Sequence, residues 1–361
     1  EGGGPPGHGL LLPPQRGRAR GHGMSRRIQL ALLVVGAALF SLIVVRIGPA
    51  RVLDNAEAVG WLFIPILLLY GVAYAANTAA WRLTMGNGHR PGFWRTYVIT
   101  VSGFSLNFVT PVINAGGEPF RIAALARWLG PRRAASSVVL HKMLHSLALL
   151  LVWLTALCLA LALLPRTRAV VGPLVGALGI VSALAALVLS GHERGGLERI
   201  LDLLHRTPLL TRVARRLEPK RSALAEIDEQ ITAFYNASPR RFWSALALEY
   251  LSRSLWMVEY WLICVGVGIN TTFAKAFMIG GLSSLIQNAL FLVPYELGTK
   301  EGSLYALFAL AGLDARAGVY TAIVSRARDM IWIAAGLGLL ALVRHEERTG
   351  RPVAPPPEPA V

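Results

Sequence analysis

The hydrophobic positions of this chain fall in long runs that are separated by short polar and basic segments. The runs cover residues 28–45, 61–80, 144–164, 169–190, 242–268, 273–293 and 319–343. A transmembrane helix needs about 20 consecutive apolar residues to cross the hydrocarbon core of a bilayer. The pattern therefore predicts an all-α, polytopic membrane protein.

Two apolar stretches are interrupted in the same way, at matching positions in the two halves of the chain. Pro111 is followed seven residues later by Glu118, and Pro294 is followed seven residues later by Glu301. The second pair lies 183 positions after the first without a gap. Unwound backbone is tolerated at membrane depth only where it lines a cavity, so matching interruptions indicate a transporter site near the midplane.

The basic residues predict how the two broken segments are oriented. Arginines before the first run place the N-terminus in the cytoplasm, because cytoplasmic loops are enriched in Lys and Arg. Arg132 and Arg133, after the first break, also favour the cytoplasm, whereas Asp314, after the second, falls on the outer side. We therefore expect about eight transmembrane helices and two re-entrant broken hairpins, arranged as inverted repeats.

These boundaries divide the chain into three parts. Residues 1–27 are predicted to be a disordered basic segment, in which Met24 looks like the start of a retained signal anchor. Residues 28–343 form the transmembrane domain, with repeat 1 at about 91–164, a cytoplasmic loop at 192–241 and repeat 2 at about 274–343. Residues 344–361 are predicted to be a disordered tail. We expect the protein in the inner or plasma membrane of the cell, with both termini in the cytoplasm.

Composition narrows the possible partners. The chain is 54% hydrophobic and 16% charged, with a net charge of +16. The basic residues are spread over the loops instead of forming a compact basic domain, so we expect anionic lipid, and no nucleic acid, as the partner. No cofactor fingerprint, metal-ligand spacing or catalytic triad order occurs, and no cofactor is expected. A second copy, or a partner protein at the cytoplasmic loop, remains open.

Charged residues near the breaks are the candidates for binding an anionic substrate, because a charge at bilayer depth costs at least about 2.5–3.5 kcal/mol. Helix N-termini at the breaks add unpaired N–H groups that favour an anion. The charged candidates are Glu118, Arg121, Lys142, Glu296, Lys300, Glu301, Arg326 and Asp329. Two alternatives stay open: Glu118 and Glu301 are simple helix caps, or Arg326 forms an internal ion pair with Glu301.

Two further pairs lie on the helical spans. Glu249 and Arg253 are four residues apart, which favours a local ion pair near the cytoplasmic interface. His141 and His145 are also four residues apart on one helix face, without a third ligand for a metal ion. His145 is a candidate for carrying protons.

At its two breaks the chain resembles the lysylphosphatidylglycerol synthase transmembrane family, also called flippase-like membrane proteins. The family's first motif is matched by Asn107, Pro111, Gly116, Gly117 and Arg121, and its second by Pro294, Gly298, Glu301, Gly302 and Arg326. The resemblance covers roughly 28–343. Tyr295 and Glu296 replace two family glycines, and the family's acidic–Arg–x–x–Asp pattern is represented here by His141, Lys142 and His145.

The resemblance implies that the protein moves or handles an amphiphilic lipid, such as an aminoacylated phospholipid or a polyprenyl-linked intermediate. In fused members aminoacyl transfer resides in a separate soluble domain, for which these segments leave no room, so we expect a flippase and not a complete synthase. The alternative is a membrane enzyme, or an accessory subunit, that presents such a lipid without transport. The expected substrate-binding residues are the charged candidates together with Asn107, Pro111, Gly116, Gly117, Pro294 and Gly298.

Overall fold

The computed structural model describes residues 60–86, 90–109, 116–190, 232–290 and 298–349. The predicted first span at 28–45, both prolines of the breaks and most of the predicted cytoplasmic loop lie outside these ranges. Within them the chain is helical, and the all-α prediction is confirmed there. The side chains of residues 187, 190 and 342–349 are not part of the description.

The long helices follow the hydrophobic runs of the sequence. Helix α1 is Phe63–Thr84, preceded by a 3-10 turn at Gly60–Leu62, and the rest are α2 Phe93–Val109, α3 Gly117–Leu129, α4 Pro131–Leu163, α5 Arg168–Ser190, α6 Pro239–Gly266, α7 Phe273–Ala289, α8 Thr299–Leu310 and α9 Ala315–Thr349. Gly130, with a positive φ of 74°, ends α3, and Pro131 begins α4 at a position where the missing N–H costs nothing.

Three segments of the described chain are long and apolar enough to cross a membrane. They are Gly60–Thr84, Pro131–Leu163 and Arg168–Ala186. Helices α6 and α9 contain 28 and 35 residues, which exceeds the length of about 20 that a bilayer requires. Both carry buried charged residues at their centres, such as Glu249 and Arg328, which lower their apolar character.

Helix α9 extends beyond the position at which the apolar pattern of the sequence ends. Helix α9 continues to Thr349, whereas the sequence pattern placed the start of a disordered tail at 344. The segment after Val343 is polar, but it contains no helix breaker before Gly350 and Pro352. Charged residues such as Arg and Glu are good helix formers, so the backbone stays helical after the apolar pattern has ended.

Two sets of three consecutive helices have matching lengths. Helices α2, α3 and α4 contain 17, 13 and 33 residues, and α7, α8 and α9 contain 17, 12 and 35. In each set the chain turns back after the first helix. Arg121 on α3 reaches back to the Thr100 carbonyl of α2 at 3.1 Å, and the hydroxyls of Ser283 on α7 and Ser303 on α8 are 2.8 Å apart. Each set therefore consists of a helical hairpin followed by a long helix.

The two sets pack against each other reciprocally, α2 on α9 and α4 on α7. Ser102 and Ser105 of α2 donate to the carbonyls of Gly336 and Trp332 on α9, at 3.0 and 3.4 Å. The residue numbers rise on one helix and fall on the other, so the two helices run antiparallel where they meet.

The same direction holds between α4 and α7. The indole N–H of Trp153 donates to Ser284 at 3.3 Å, and a Cβ added at Gly281 would meet Ala156. Helix α4 is therefore also antiparallel to its partner from the other set.

Helices α1 and α6 form an antiparallel pair beside these two sets. The Ser252 hydroxyl donates to the Ala73 carbonyl at 2.9 Å, and Tyr70 stacks on Trp256 with ring centroids 5.4 Å apart. The largest apolar core lies among α4, α6, α7 and α8, around Leu157, Met278 and Phe308. The pair and the two sets together enclose the polar centre of the molecule.

Candidate functional site

The first break is held by one asparagine at the end of α2. The Asn107 amide accepts a hydrogen bond from the Gly117 N–H at 2.7 Å and donates to Glu118 at 3.2 Å. Glu118 also accepts from Lys142 on α4 at 2.9 Å. The beginning of α3 is thus tied both to the helix before the break and to the long helix after it.

The second break is arranged in a similar way around Glu301. Its carboxylate accepts from the backbone N–H of Gly298 at 2.9 Å and from Arg326 on α9 at 2.5 and 3.2 Å. Gly298 has a positive φ of 80°, a backbone conformation that glycine adopts without strain. The two alternatives raised for this residue therefore coexist, because Glu301 both caps α8 and pairs with Arg326.

The two breaks share one pairing rule but differ in their surroundings. In each, the carboxylate of the short helix pairs with a cation on the following long helix. The Lys142 side chain is 53% exposed, whereas the Arg326 side chain is 9% exposed. The caps also differ, because Glu301 accepts from the Gly298 N–H at the second break, whereas the Gly117 N–H at the first break donates to Asn107.

Arg121 is buried without a carboxylate partner among the described residues. It is 4% exposed, donates one hydrogen bond to Thr100, and packs its guanidinium against the rings of Trp81 and Phe104 at 5.4 and 4.7 Å. Its Nε has no hydrogen-bond partner in that part of the chain. Aromatic faces attract cations, which offsets part of the cost of burying this charge.

A cavity of about 260 Å³ lies between the two hairpins and the α1–α6 pair. Phe108, at the end of α2, and Asn288, at the end of α7, both line it, so it is adjacent to the two breaks. Its other polar and aromatic lining residues are Tyr70, Tyr74, Phe104, Ser105, Trp256, Tyr260, Ser284 and Gln287. The cavity therefore receives residues from both sets of helices.

The charged lining of the cavity contains three cations and one carboxylate: Arg253, Lys300, Arg328 and Asp329. Arg328 is the most strongly held of these groups. It pairs with the fully buried Glu259 at 2.6 Å and with Asp329 at 2.5 Å, and it lies over the Tyr70 ring at 3.5 Å. Lys300 is 3.5 Å from Asp329, a looser contact. A loosely paired ammonium group in a cavity is well placed to exchange its carboxylate partner for a phosphate.

The structure distributes the predicted site residues over three places. Lys300 and Asp329 lie in the cavity, Arg121 lies behind its Phe104 wall, and the others that are described lie at the two breaks. Pro111, Pro294 and Glu296 lie outside the described residues.

Three charged residues of this region were not among the predicted binding residues. Arg253 was assigned to a local ion pair, Arg328 was noted only as a charge near the second break, and Glu259 was not selected. A signal existed, because charges within an apolar helix require partners.

The predicted local pair between Glu249 and Arg253 is not formed. The ring of His145 lies between them, with Nδ1 2.9 Å from Glu249 and Nε2 in contact with the Arg253 guanidinium. Helix spacing brings the two side chains to the same face, but α4 packs against that face and inserts its histidine.

Comparison with known proteins shows similarity to a protein family and to a membrane protein of an archaeon. A family model described as the lysylphosphatidylglycerol synthase TM region matches residues 28–338. The chain is also 21% identical over 331 residues to a protein named UPF0104 membrane protein from Methanothermobacter thermautotrophicus (strain Delta H), with 86% of this chain and 94% of the relative covered. No solved structure matches the chain.

Proposed function

The chain belongs to the family of the lysylphosphatidylglycerol synthase TM region, and from this premise we propose that it is a flippase. In this proposal it moves a lipid, or a lipid-linked anionic substrate, between the two leaflets of the cell membrane through the central cavity. Both termini lie in the cytoplasm in this arrangement. Membership of the family shows that the chain is a membrane protein, and transport of a lipid is the part that we propose.

The observation that carries the proposal is the charge of the cavity beside the two breaks. Lys300, Arg253 and Arg328 face the same space as a single carboxylate, Asp329. Phosphate groups bind where several cationic donors converge, and such hydrogen bonds are about twice as strong as neutral ones. The polar amides of Gln287 and Asn288 add donors and acceptors for the rest of a head group.

The packing of the two helix sets supports a mechanism by alternating exposure. Helix α2 is antiparallel to α9 and α4 to α7, which supports inverted repeats, and the cavity lies between the two sets. A rigid movement of one set against the other would open the cavity to one side and then to the other. The proposed arrangement comprises about eight transmembrane helices and two re-entrant hairpins.

Leaflet exchange in vesicles tests the proposal directly. Purified protein is reconstituted with a fluorescent anionic phospholipid, and the accessibility of the label to a membrane-impermeant quencher is followed over time. We expect exchange by the wild type and a loss of about ten-fold or more in Lys300→Gln, since one charge-assisted hydrogen bond is worth about 1.5–3 kcal/mol.

A lysine away from the cavity provides the control. Lys275 lies in the first turn of α7 and does not line the cavity, so Lys275→Gln should exchange lipid within about two-fold of the wild type. Appearance of a chemically altered lipid by mass spectrometry would instead support the membrane enzyme. Absence of both exchange and product in the wild type contradicts the flippase.

A further inference from the structure

A carboxylate at the centre of α6 is buried completely and held by three side chains from two other helices. Glu249 is 0% exposed. It accepts hydrogen bonds from the Asn77 amide of α1 at 2.7 and 3.0 Å, and it contacts His141 and His145 of α4 at 2.8 and 2.9 Å. We call Glu249, His141 and His145 the histidine–glutamate cluster.

The contacts of the cluster define where its protons lie. Each histidine contact has the length of an N–H···O hydrogen bond, so each ring donates one proton to the carboxylate. The other nitrogen of His145 faces the Arg253 guanidinium, which can only donate, so that nitrogen is an acceptor and the ring is neutral. One added proton converts a neutral imidazole into an imidazolium paired with Glu249, and no other reactant is needed.

The surroundings oppose a further positive charge. Arg253 lies on α6 itself, and Arg121 of α3 packs on Trp81, whose ring stacks on His141 at 5.5 Å. Helix α2 contributes the uncharged Phe104 beside His145, and α1 contributes Asn77 and Trp81. One carboxylate thus faces two guanidinium groups, so adding a proton favours any rearrangement that separates these cations.

The cluster is linked to the proposed lipid path through α4 and α6. Lys142 lies between the two histidines in the sequence and pairs with Glu118 at the first break, so a shift of α4 moves both contacts together. Arg253 contacts His145 and also lines the cavity. Histidine changes its charge closer to neutral pH than other side chains do, and proton relays in membrane proteins use such buried groups.

We infer that the histidine–glutamate cluster is a proton-binding site that couples lipid movement to a proton gradient. The coupling to lipid movement rests on the proposed function, whereas proton binding by the cluster does not depend on it. The two parts are therefore tested by separate measurements.

The coupling is tested in the vesicle assay with and without a pH difference across the membrane. A difference of about two units corresponds to a ratio of about 100 between the proton activities on the two sides. The measured quantity is the ratio of the exchange rates with and without the gradient. We expect a ratio of about five or more in the wild type for one direction of the gradient, and a ratio near one in Glu249→Gln and His145→Gln. Thr155→Val is the control, because it removes the hydrogen bond of 3.0 Å between Thr155 on α4 and Tyr250 on α6, which involves no charged group. It should respond to the gradient as the wild type does.

Proton binding is measured on the protein in detergent by a pH jump from about 8 to about 5.5 with an indicator dye. The wild type should take up about one proton more per chain than Glu249→Gln. If Glu249→Gln does not fold, the same comparison is made with His145→Gln. Exchange that ignores a gradient of either sign overturns the coupling but leaves the flippase intact. If the wild type exchanges no lipid, the flippase fails, and equal proton uptake by both proteins overturns the cluster as a proton site.

Discussion

At the scale of single residues, the two equivalent ion pairs of the breaks should differ in their contribution to stability. The Glu301–Arg326 pair is mostly buried, whereas Lys142 of the other pair is largely exposed. Glu301→Gln should lower the free energy of unfolding by about 2–4 kcal/mol, because it removes the negative charge of a mostly buried ion pair. Glu118→Gln should cost less than about 1 kcal/mol. Denaturant unfolding in detergent measures both, and equal losses would contradict the assignment of burial.

The Glu259–Arg328 pair gives a second prediction at this scale. Both side chains are buried, with exposures of 0% and 3%. Arg328→Met should destabilise the protein by about 3–5 kcal/mol, since Glu259 is left as an unpaired buried charge. The double variant Glu259→Gln/Arg328→Met should regain at least about half of that loss, because the amide still accepts from Tyr70. A double variant as unstable as the single one would show that Arg328 acts through Asp329 instead.

The residues near the breaks could be selected from the sequence, but most of their partners could not. Glu301 was singled out because it follows a proline and glycine break, and its pairing with Arg326 was one of the alternatives raised. Glu249 was predicted to form an ion pair with Arg253, because helical spacing indicates only which residues are neighbours on the same helix. Its actual partners, His141 and His145, come from α4, and a packing contact between distant helices leaves no mark in the local pattern.

At the scale of elements, the hairpin of α2 and α3 depends on a close approach at Gly117. A Cβ at this position would meet the backbone carbonyl of Gly103 and the Asn107 side chain. Gly117→Ala should therefore push α3 away from α2 and cost about 1–3 kcal/mol. Gly176 on α5 has open space around it, so Gly176→Ala should be neutral or stabilise by up to about 1 kcal/mol. The unfolding midpoints of the two variants are compared with that of the wild type. A Gly117→Ala variant as stable as the wild type would contradict the close contact.

The ends of the helices were predictable where the breaker is in the chain itself. Val109 ends α2 just before Pro111, and Gly130-Pro131 separates α3 from α4 as the stop signal indicates. The start of α4 was less clear, because the apolar run of this span begins only at 144, after Arg132 and Arg133. They form the first turn of the helix after Pro131, since charged residues do not interrupt a backbone that proline has already directed into a helix.

At the scale of the whole molecule, two independent observations favour the same arrangement. The charges around Arg132 and Asp314 predict that the two breaks lie at opposite faces of a membrane, and the contacts of α2 with α9 and of α4 with α7 are antiparallel. Charge counting uses residues at or beyond the ends of the helices, whereas the contacts use residues within them. Agreement between them is the strongest support for inverted repeats that surround one cavity.

Cysteine labelling separates this arrangement from a pair of repeats with the same orientation. Cys158 is exposed and Cys264 is buried, so both are first replaced by Ser and Ala. Single cysteines are then introduced as Arg132→Cys, in the first turn of α4, and Asp314→Cys, just before α9. An impermeant thiol reagent should reach Asp314→Cys in intact cells, and it should reach Arg132→Cys only after the membrane is opened. Labelling of both positions from one side would place the two hairpins in the same orientation, and a single cavity open to each leaflet in turn could not then be built from them.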